Sequence, residues 1–206
     1  MTIHTEKGVI VGNIENKSNP TNPVSARLVQ SFDQTLIRLL QRIGTGAIHE
    51  VGCGEGRLTR ILCDFPFDRV RASDISEALI ARNRNNGDLR GVDFVCKSIY
   101  DLTATDDSAD TVVCCEVLEH LDDPRRGLEA LKELLAEHYI LSVPREPIWC
   151  LLNMSRGKYL SRLGNTPGHL NHWSSSGFVE FLKAGGFLPV EVRRPIPWTM
   201  AYGHFG

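Results

Sequence analysis

Between Val24 and Ile43 the apolar residues Val24, Leu28, Phe32, Leu36, Leu39, Leu40 and Ile43 recur every three or four positions. That is the period of a helix with one buried face. Ser25 or Asn22 is placed to cap it, and Gly44 ends it. Beyond Gly44 the period changes. Strand-length apolar runs at 46–51, 69–73, 92–96, 110–115 and 139–143 alternate with helix-like segments at Arg57–Phe65, Ser76–Arg84 and Pro124–Ala136. The run DTVVCC at 110–115 is almost wholly apolar, as a strand covered on both faces should be. After Pro144 the rhythm breaks into an insertion, Arg145–Trp173. A helix at Ser175–Ala184 follows, closed by Gly185-Gly186, with strand candidates at Leu188–Arg193 and Trp198–Tyr202. The pattern predicts a doubly wound α/β fold: a mostly parallel seven-stranded sheet with helices on both faces. It divides the chain into a polar, turn-rich arm over residues 1–23 and one domain over 24–206.

Composition narrows the classes of partner. The 206 residues are 42% hydrophobic and 23% charged, with a formal net charge of −2. Such a balance suits a globular domain and creates no global field that attracts nucleic acid or an anionic membrane. The six cysteines form no C-x-x-C pair, and Cys114 and Cys115 lie inside a strand-like run. Reduced, buried thiols are expected rather than disulfides or a zinc ribbon. The N-terminus lacks a signal-peptide core, and no window reaches the roughly 20 apolar residues of a membrane span. The expected compartment is the cytoplasm.

The chemistry concentrates where strands end. The first strand runs into Glu50–Leu58, E-V-G-C-G-E-G-R-L, with three glycines in five positions. In open α/β sheets ligands bind outside the carboxyl ends of the strands, so this loop is a nucleotide site candidate. A P-loop is excluded, because Arg57-Leu58 stand where Lys and Ser or Thr are needed. The dinucleotide fingerprint is disfavoured, because Gly52, Gly54 and Gly56 give G-x-G-x-G and the third fingerprint position holds Arg57. One strand later, Asp74 ends R-A-S-D-I-S. Its two oxygens suit the vicinal hydroxyls of a ribose, and the same carboxylate also suits a helix cap.

With an acid before it, the loop reads [D/E]-x-G-x-G-x-G and resembles the first motif of class I S-adenosylmethionine (SAM)-dependent methyltransferases. The resemblance implies a Rossmann-like fold and SAM as methyl donor. It assigns cofactor contacts to Glu50, Gly52, Cys53, Gly54 and Gly56. Glu50 faces the ammonium of the methionine part, and Asp74 the ribose, with Ile75 beside it. The family's next motif commonly reads G-D-A-x-x-L. Here K-S-I-Y-D-L puts Ser98 in place of the acid that meets adenine, with Ile99 placed to pack on the ring. The segment DTVVCCEVLEHLDDP, residues 110–124, resembles the corresponding region of ubiquinone-pathway O-methyltransferases, which implies a backbone contact from Cys115.

The acceptor is less defined. Methyl transfer needs alignment, and an oxygen or nitrogen nucleophile also needs its proton removed. His120 and His169 are the candidate catalytic bases, with His172 nearby. Glu116, Glu119 and His120 stand at i, i+3 and i+4, which one helical turn would gather on one side. With His169 they form a candidate divalent-metal set. This spacing is similar to small-RNA 2′-O-methyltransferases, which also carry a His four residues before a Trp, as His169 stands before Trp173. E-V-L-E-H equally serves this fold as a structural phrase. The insertion is expected over the carboxyl edge of the sheet, either lining an acceptor pocket or packing on the core or a partner. A small-molecule acceptor is expected ahead of RNA, and a non-catalytic SAM-binding or partner-binding role is the remaining alternative.

Overall fold

A computed structural model describes residues 5–6, 9–10 and 23–204. Thr5–Glu6 pairs with Val9–Ile10 in a short antiparallel ribbon. The rest of the expected arm, including the Asn22 cap, lies outside the described residues. The main sheet has seven strands: β1 (Ala47–Val51), β2 (Arg69–Asp74), β3 (Asp93–Cys96), β4 (Ala109–Cys115), β5 (Leu135–Pro144), β6 (Glu191–Arg193) and β7 (Trp198–His204). Their spatial order is β3-β2-β1-β4-β5-β7-β6, with β7 antiparallel to both its neighbours and all other pairs parallel.

The strands divide their side chains between two cores, as a period of two requires. From β4, Val112 and Cys114 join Tyr139, Leu141 and Val143 of β5 beneath α5 (Pro124–Leu134) and α7 (Ser175–Ala184). On the other face Val113, Cys115 and Ile140 meet Phe32, Leu36, Leu39 and Leu40 of α1 (Pro23–Leu40), and Leu58 and Leu62 of α2 (Arg57–Cys63). The third core helix, α3 (Glu77–Arg84), covers Ala72 and Phe94 with Ile80. Ser76 caps it as expected, accepting from the Leu79 amide at 3.3 Å. A single turn, α4 (Ala104–Asp107), leads into β4.

Several boundaries depart from the expected ones, each for a local reason. Helix α1 stops at Leu40 and passes into a turn before Ile43, although Ile43 still packs in the core. Helix α2 ends at Cys63, where Asp64 caps it. Helix α5 gives way directly to β5 at Leu135, four residues earlier than the apolar run begins, because Leu135 pairs with Ala109 of β4, and β7 supplies partners from His138 onward. The Leu188–Arg193 strand is shortened to Glu191–Arg193.

A buried polar cluster joins β1, β2 and α4. His49 shares hydrogen bonds with the Asp107 carbonyl (2.8 Å) and the Ser73 hydroxyl (2.9 Å). The Asp107 carboxylate accepts from Arg71 (2.7 Å) and Lys97 (2.8 Å). Burial lowers the His49 pKa from 6.5 to about 4. The unfolded chain therefore takes up this proton as pH falls through 6.5, and the folded chain resists until about pH 4. The contribution of His49 is full above pH 6.5 and is lost across that window, amounting to about 3 kcal/mol. Glu50 works in the opposite direction, since burial raises its pKa to about 7. The difference between wild type and a His49→Asn variant isolates the histidine. Chemical denaturation should show the destabilisation caused by His49→Asn shrinking by about 3 kcal/mol between pH 7 and pH 4; a constant difference would contradict the neutral buried imidazole.

Candidate active site

Strand order reverses between β1 and β4, and the glycine loop and the Glu116–Leu121 segment leave the sheet on either side of that point. This is the crevice where an open α/β sheet binds its ligand. The loop is folded back onto β2: the amides of Gly52 and Cys53 both donate to the Ser73 carbonyl, at 2.8 and 2.9 Å. Asp74 holds it from the other side, accepting from the Gly54 amide (2.8 Å) and the Ser76 amide (2.9 Å). The ribose and cap readings of Asp74 are therefore compatible, because a carboxylate can accept about four hydrogen bonds. Asn83 of α3 donates to the Gly54 carbonyl at 2.9 Å and completes the clamp.

The three glycines do different work. Gly52 lies at φ 80°, and a Cβ there would come within 2.2 Å of Val117 Cγ2, so its bareness lets the two crevice walls meet. Gly56, at φ 76°, would meet Leu89 at 2.8 Å. Only Gly54 of the three faces open space, with nothing within 4 Å of the place a Cβ would occupy. It is the place where a ligand can lie on bare backbone.

Glu50 is buried beneath the loop and accepts from Thr59 Oγ1 at 2.5 Å. Burial is the main cause of its raised pKa, offset in part by Thr59 and Arg57. Arg57 pairs with Asp33 of α1 and lies over the Phe32 ring, which ties α1 to the start of α2. Cys53 is buried, with its thiol pKa pushed well up by desolvation. Ile75 is half-buried, its carbonyl accepting from Cys96 Sγ at 3.5 Å. Ser98 accepts from the Tyr100 amide at 3.3 Å and opens a short turn. Ile99 is buried in the core beneath α5. Cys115 ends β4, buried, with its thiol pKa raised by desolvation.

The expected helical turn carrying Glu116, Glu119 and His120 is not formed. Glu116 takes a left-handed φ of 63°, and only Leu118–His120 coil into a tight turn. Glu116 consequently points elsewhere, accepting from Trp198 Nε1 at 2.7 Å and Ser142 Oγ at 3.4 Å. The remaining three candidates do converge: ligand atoms of Glu119, His120 and His169 lie within 4.8 Å of one another. Glu119 and His169 are buried, and the two imidazoles stand edge to face at 5.0 Å. His120 Nδ1 lies 2.9 Å from the Gly168 carbonyl. A carbonyl only accepts, so Nδ1 carries the proton, while Nε2 lies 3.9 Å from Glu119 Oε1. His172 stands apart, 3.5 Å from Glu146.

The insertion does close over this edge. Its helix α6 (Ile148–Ser155) sends Trp149 against His169 (5.5 Å) and Trp198 (5.9 Å), and Leu170 and Asn171 donate to the Glu119 carbonyl. Sequence reasoning missed Trp198 as a partner of Glu116. The pair is 82 residues apart, and no local spacing signals it.

A profile described as a methyltransferase domain matches residues 49–141, which span the glycine loop, the crevice and most of β5. Over that segment the chain is similar to the class I SAM-dependent methyltransferases. A ubiquinone biosynthesis O-methyltransferase of Xanthomonas euvesicatoria is 32% identical over 150 residues, covering 70% of this chain and 62% of that protein. An uncharacterized Synechococcus protein is 35% identical over 107 residues, 50% of this chain and 26% of its own length. The chain thus spans less than two thirds of the length of these curated relatives. The fold is also that of magnesium protoporphyrin IX methyltransferase from Synechocystis PCC 6803, solved with bound S-adenosylhomocysteine (SAH), at a TM-score of 0.67 and 19% identity over 91% of this chain and 90% of the other. Among the described residues no helix is long and apolar enough to cross a membrane.

The unequal glycines give a stability test. Gly52→Ala should lower stability by about 2 kcal/mol or more, through left-handed strain plus collision with Val117, whereas Gly54→Ala should cost about 1 kcal/mol. Equal losses in parallel denaturant titrations would remove Val117 from the account.

Proposed function

We propose that the chain binds SAM in the β1–β4 crevice and transfers its methyl group in line to an oxygen or nitrogen nucleophile of a small-molecule acceptor. The observation that carries this reading is the open backbone at Gly54 beside the Asp74 carboxylate, which fits a ribose and the chain attached to it. Asp74 accepts the ribose hydroxyls alongside the Gly54 and Ser76 amides. Glu50, ionised, supplies a negative field beneath the loop for the methionine ammonium. Ile75, Ser98, Ile99 and the Cys115 backbone border the adenine, with the Ile99 side chain contributing only its exposed margin. When bound, SAM supplies a methyl carbon on a positively charged sulfur. The protein's own part is alignment and proton removal. His120 is the base in this reading: its Nδ1 donates to the Gly168 carbonyl, and its Nε2, 3.9 Å from Glu119 Oε1, is the nitrogen that takes the nucleophile's proton. His169 packs against it and orients it.

A second reading has support in the convergence of Glu119, His120 and His169. One carboxylate and two imidazoles suit a divalent transition metal. Such an ion would act as a Lewis acid that lowers the acceptor hydroxyl's pKa. Glu116 is not part of this set. Metal-stripped protein assayed with and without added manganese or magnesium decides between the two: the base reading expects equal rates, and loss of activity with recovery on metal addition would replace it. The small-molecule preference over RNA rests on the slightly negative net charge. A SAM-binding role without turnover predicts normal cofactor affinity and no methylated product.

The cofactor assignments are tested with SAH and calorimetry. Asp74→Ala should weaken SAH binding by about tenfold or more, the loss of charge-assisted hydrogen bonds. Wild-type affinity should rise between about pH 6 and pH 8, as the pKa of Glu50 near 7 requires, and Glu50→Gln should flatten that rise. Unchanged affinity in Asp74→Ala would sink the ribose role.

A further inference from the structure

The insertion leaves β5 at Arg145 and returns at Trp173, and its two ends are tied together there. Arg145 bridges to Trp173, and the Glu146 amide donates to the Trp173 carbonyl at 2.8 Å. Beside that tie the Glu146 carboxylate gathers two other side chains. Its Oε1 accepts from Cys150 Sγ at 3.2 Å and lies 3.5 Å from His172 Nδ1. Its Oε2 accepts from the Cys150 amide, also at 3.2 Å, which fixes the carboxylate against the first turn of α6. Glu146 and Cys150 are half-buried, and the His172 side chain is 37% exposed. None of the three takes part in the proposed methyl transfer.

A thiol, a carboxylate and an imidazole are the ligand types that zinc takes from proteins. Around a tetrahedral zinc ion, bonds of about 2.3 Å to sulfur and about 2.0–2.2 Å to oxygen and nitrogen set the ligand atoms about 3.3–3.6 Å apart. The spacings from Glu146 to Cys150 and to His172, 3.2 and 3.5 Å, lie near those edges. The remaining edge, Cys150 to His172, closes as the imidazole swings toward the thiol, and its exposure leaves it room to do so. Sulfur also separates this group from Glu119, His120 and His169, which offer only oxygen and nitrogen.

We infer that Glu146, Cys150 and His172 form a zinc site that clips the base of the insertion. On binding, the thiol proton now donated to Glu146 passes to solvent. The thiolate, the carboxylate and the imidazole then hold the ion, with water as the fourth ligand. The ion joins Glu146 and Cys150 at the outgoing end to His172 at the returning end. It thereby closes the whole loop between Cys150 and His172, and a clip across a long loop removes more freedom from the open chain than one across a short loop. Trp149 and His169 lie beside the ligands in sequence, so the clip also steadies their contact at 5.5 Å over the crevice. It does not depend on which acceptor is methylated.

The test titrates the whole chain, stripped with a chelator, with cobalt(II), a coloured substitute for zinc. A thiolate ligand gives an intense sulfur-to-cobalt band in the near ultraviolet, which a site of one carboxylate and two imidazoles lacks. Wild type should show that band, and zinc should displace it. Cys150→Ser should abolish the band, and His172→Gln should weaken cobalt binding by about tenfold or more. Cys63→Ser, at the exposed cysteine of α2, should leave the band intact. Added zinc should also slow trypsin cleavage at the exposed Arg156, Lys158 and Arg162 by about tenfold or more in wild type, and not in Cys150→Ser. Cobalt bound without the sulfur band would put the ion on Glu119, His120 and His169 and overturn the inference. Absence of binding, a band that survives Cys150→Ser, or wild-type affinity in His172→Gln would overturn it equally.

Discussion

Two amide hydrogen bonds, from Gly52 and Cys53 to the Ser73 carbonyl, hold the crevice together. They make the loop after β1 a continuation of the β1–β2 pairing rather than a free connection. Once the loop is pinned there, Asp74 reaches the Gly54 amide, Asn83 reaches the Gly54 carbonyl, and α2 starts at a fixed angle from Gly56. The same pinning brings Gly52 against Val117, so the two walls of the switch point are in contact through a position that has no side chain. Parallel pairing of β1 with both β2 and β4 is what makes this possible.

Electrostatics around the crevice follow from burial. Glu50 and His49 are neighbours in sequence on opposite faces of β1, and both favour their neutral forms because water is excluded. Their consequences differ. His49 is fixed by a carbonyl and a hydroxyl and serves the scaffold. Glu50 lies under the ligand loop, where a bound cation would favour its ionised form. The proposed acceptor side is built differently, from side chains contributed by the Glu119–His120 turn, the insertion and the start of β7. Its residues come from separate elements, and long-range contacts such as Trp198 to Glu116 hold them in register.

Much of the candidate loop's backbone was legible because its parts are local. Glycine spacing, an acid at each strand end and a helix cap are short patterns, and the backbone that satisfies them is dictated within a few residues. The acceptor half was less legible. The i, i+3, i+4 spacing of Glu116, Glu119 and His120 is meaningful only on a regular helix. The left-handed backbone at Glu116 breaks that condition, with its carboxylate held by Trp198 and Ser142. The early start of β5 was likewise hidden, since it depends on an irregular parallel pairing of Leu135 with Ala109 of β4.

By itself the sequence determined the alternating βα order, the seven-stranded sheet, the candidate cofactor loop and the resemblance to SAM-dependent methyltransferases, because periodicity and turn chemistry act over short stretches. Tertiary structure decided which glycine faces open space and which acid shares a cluster with His120 and His169. Those outcomes depend on what the folded chain brings beside each residue. Gly54 and Gly52 look alike in sequence; only the position of Val117 tells them apart.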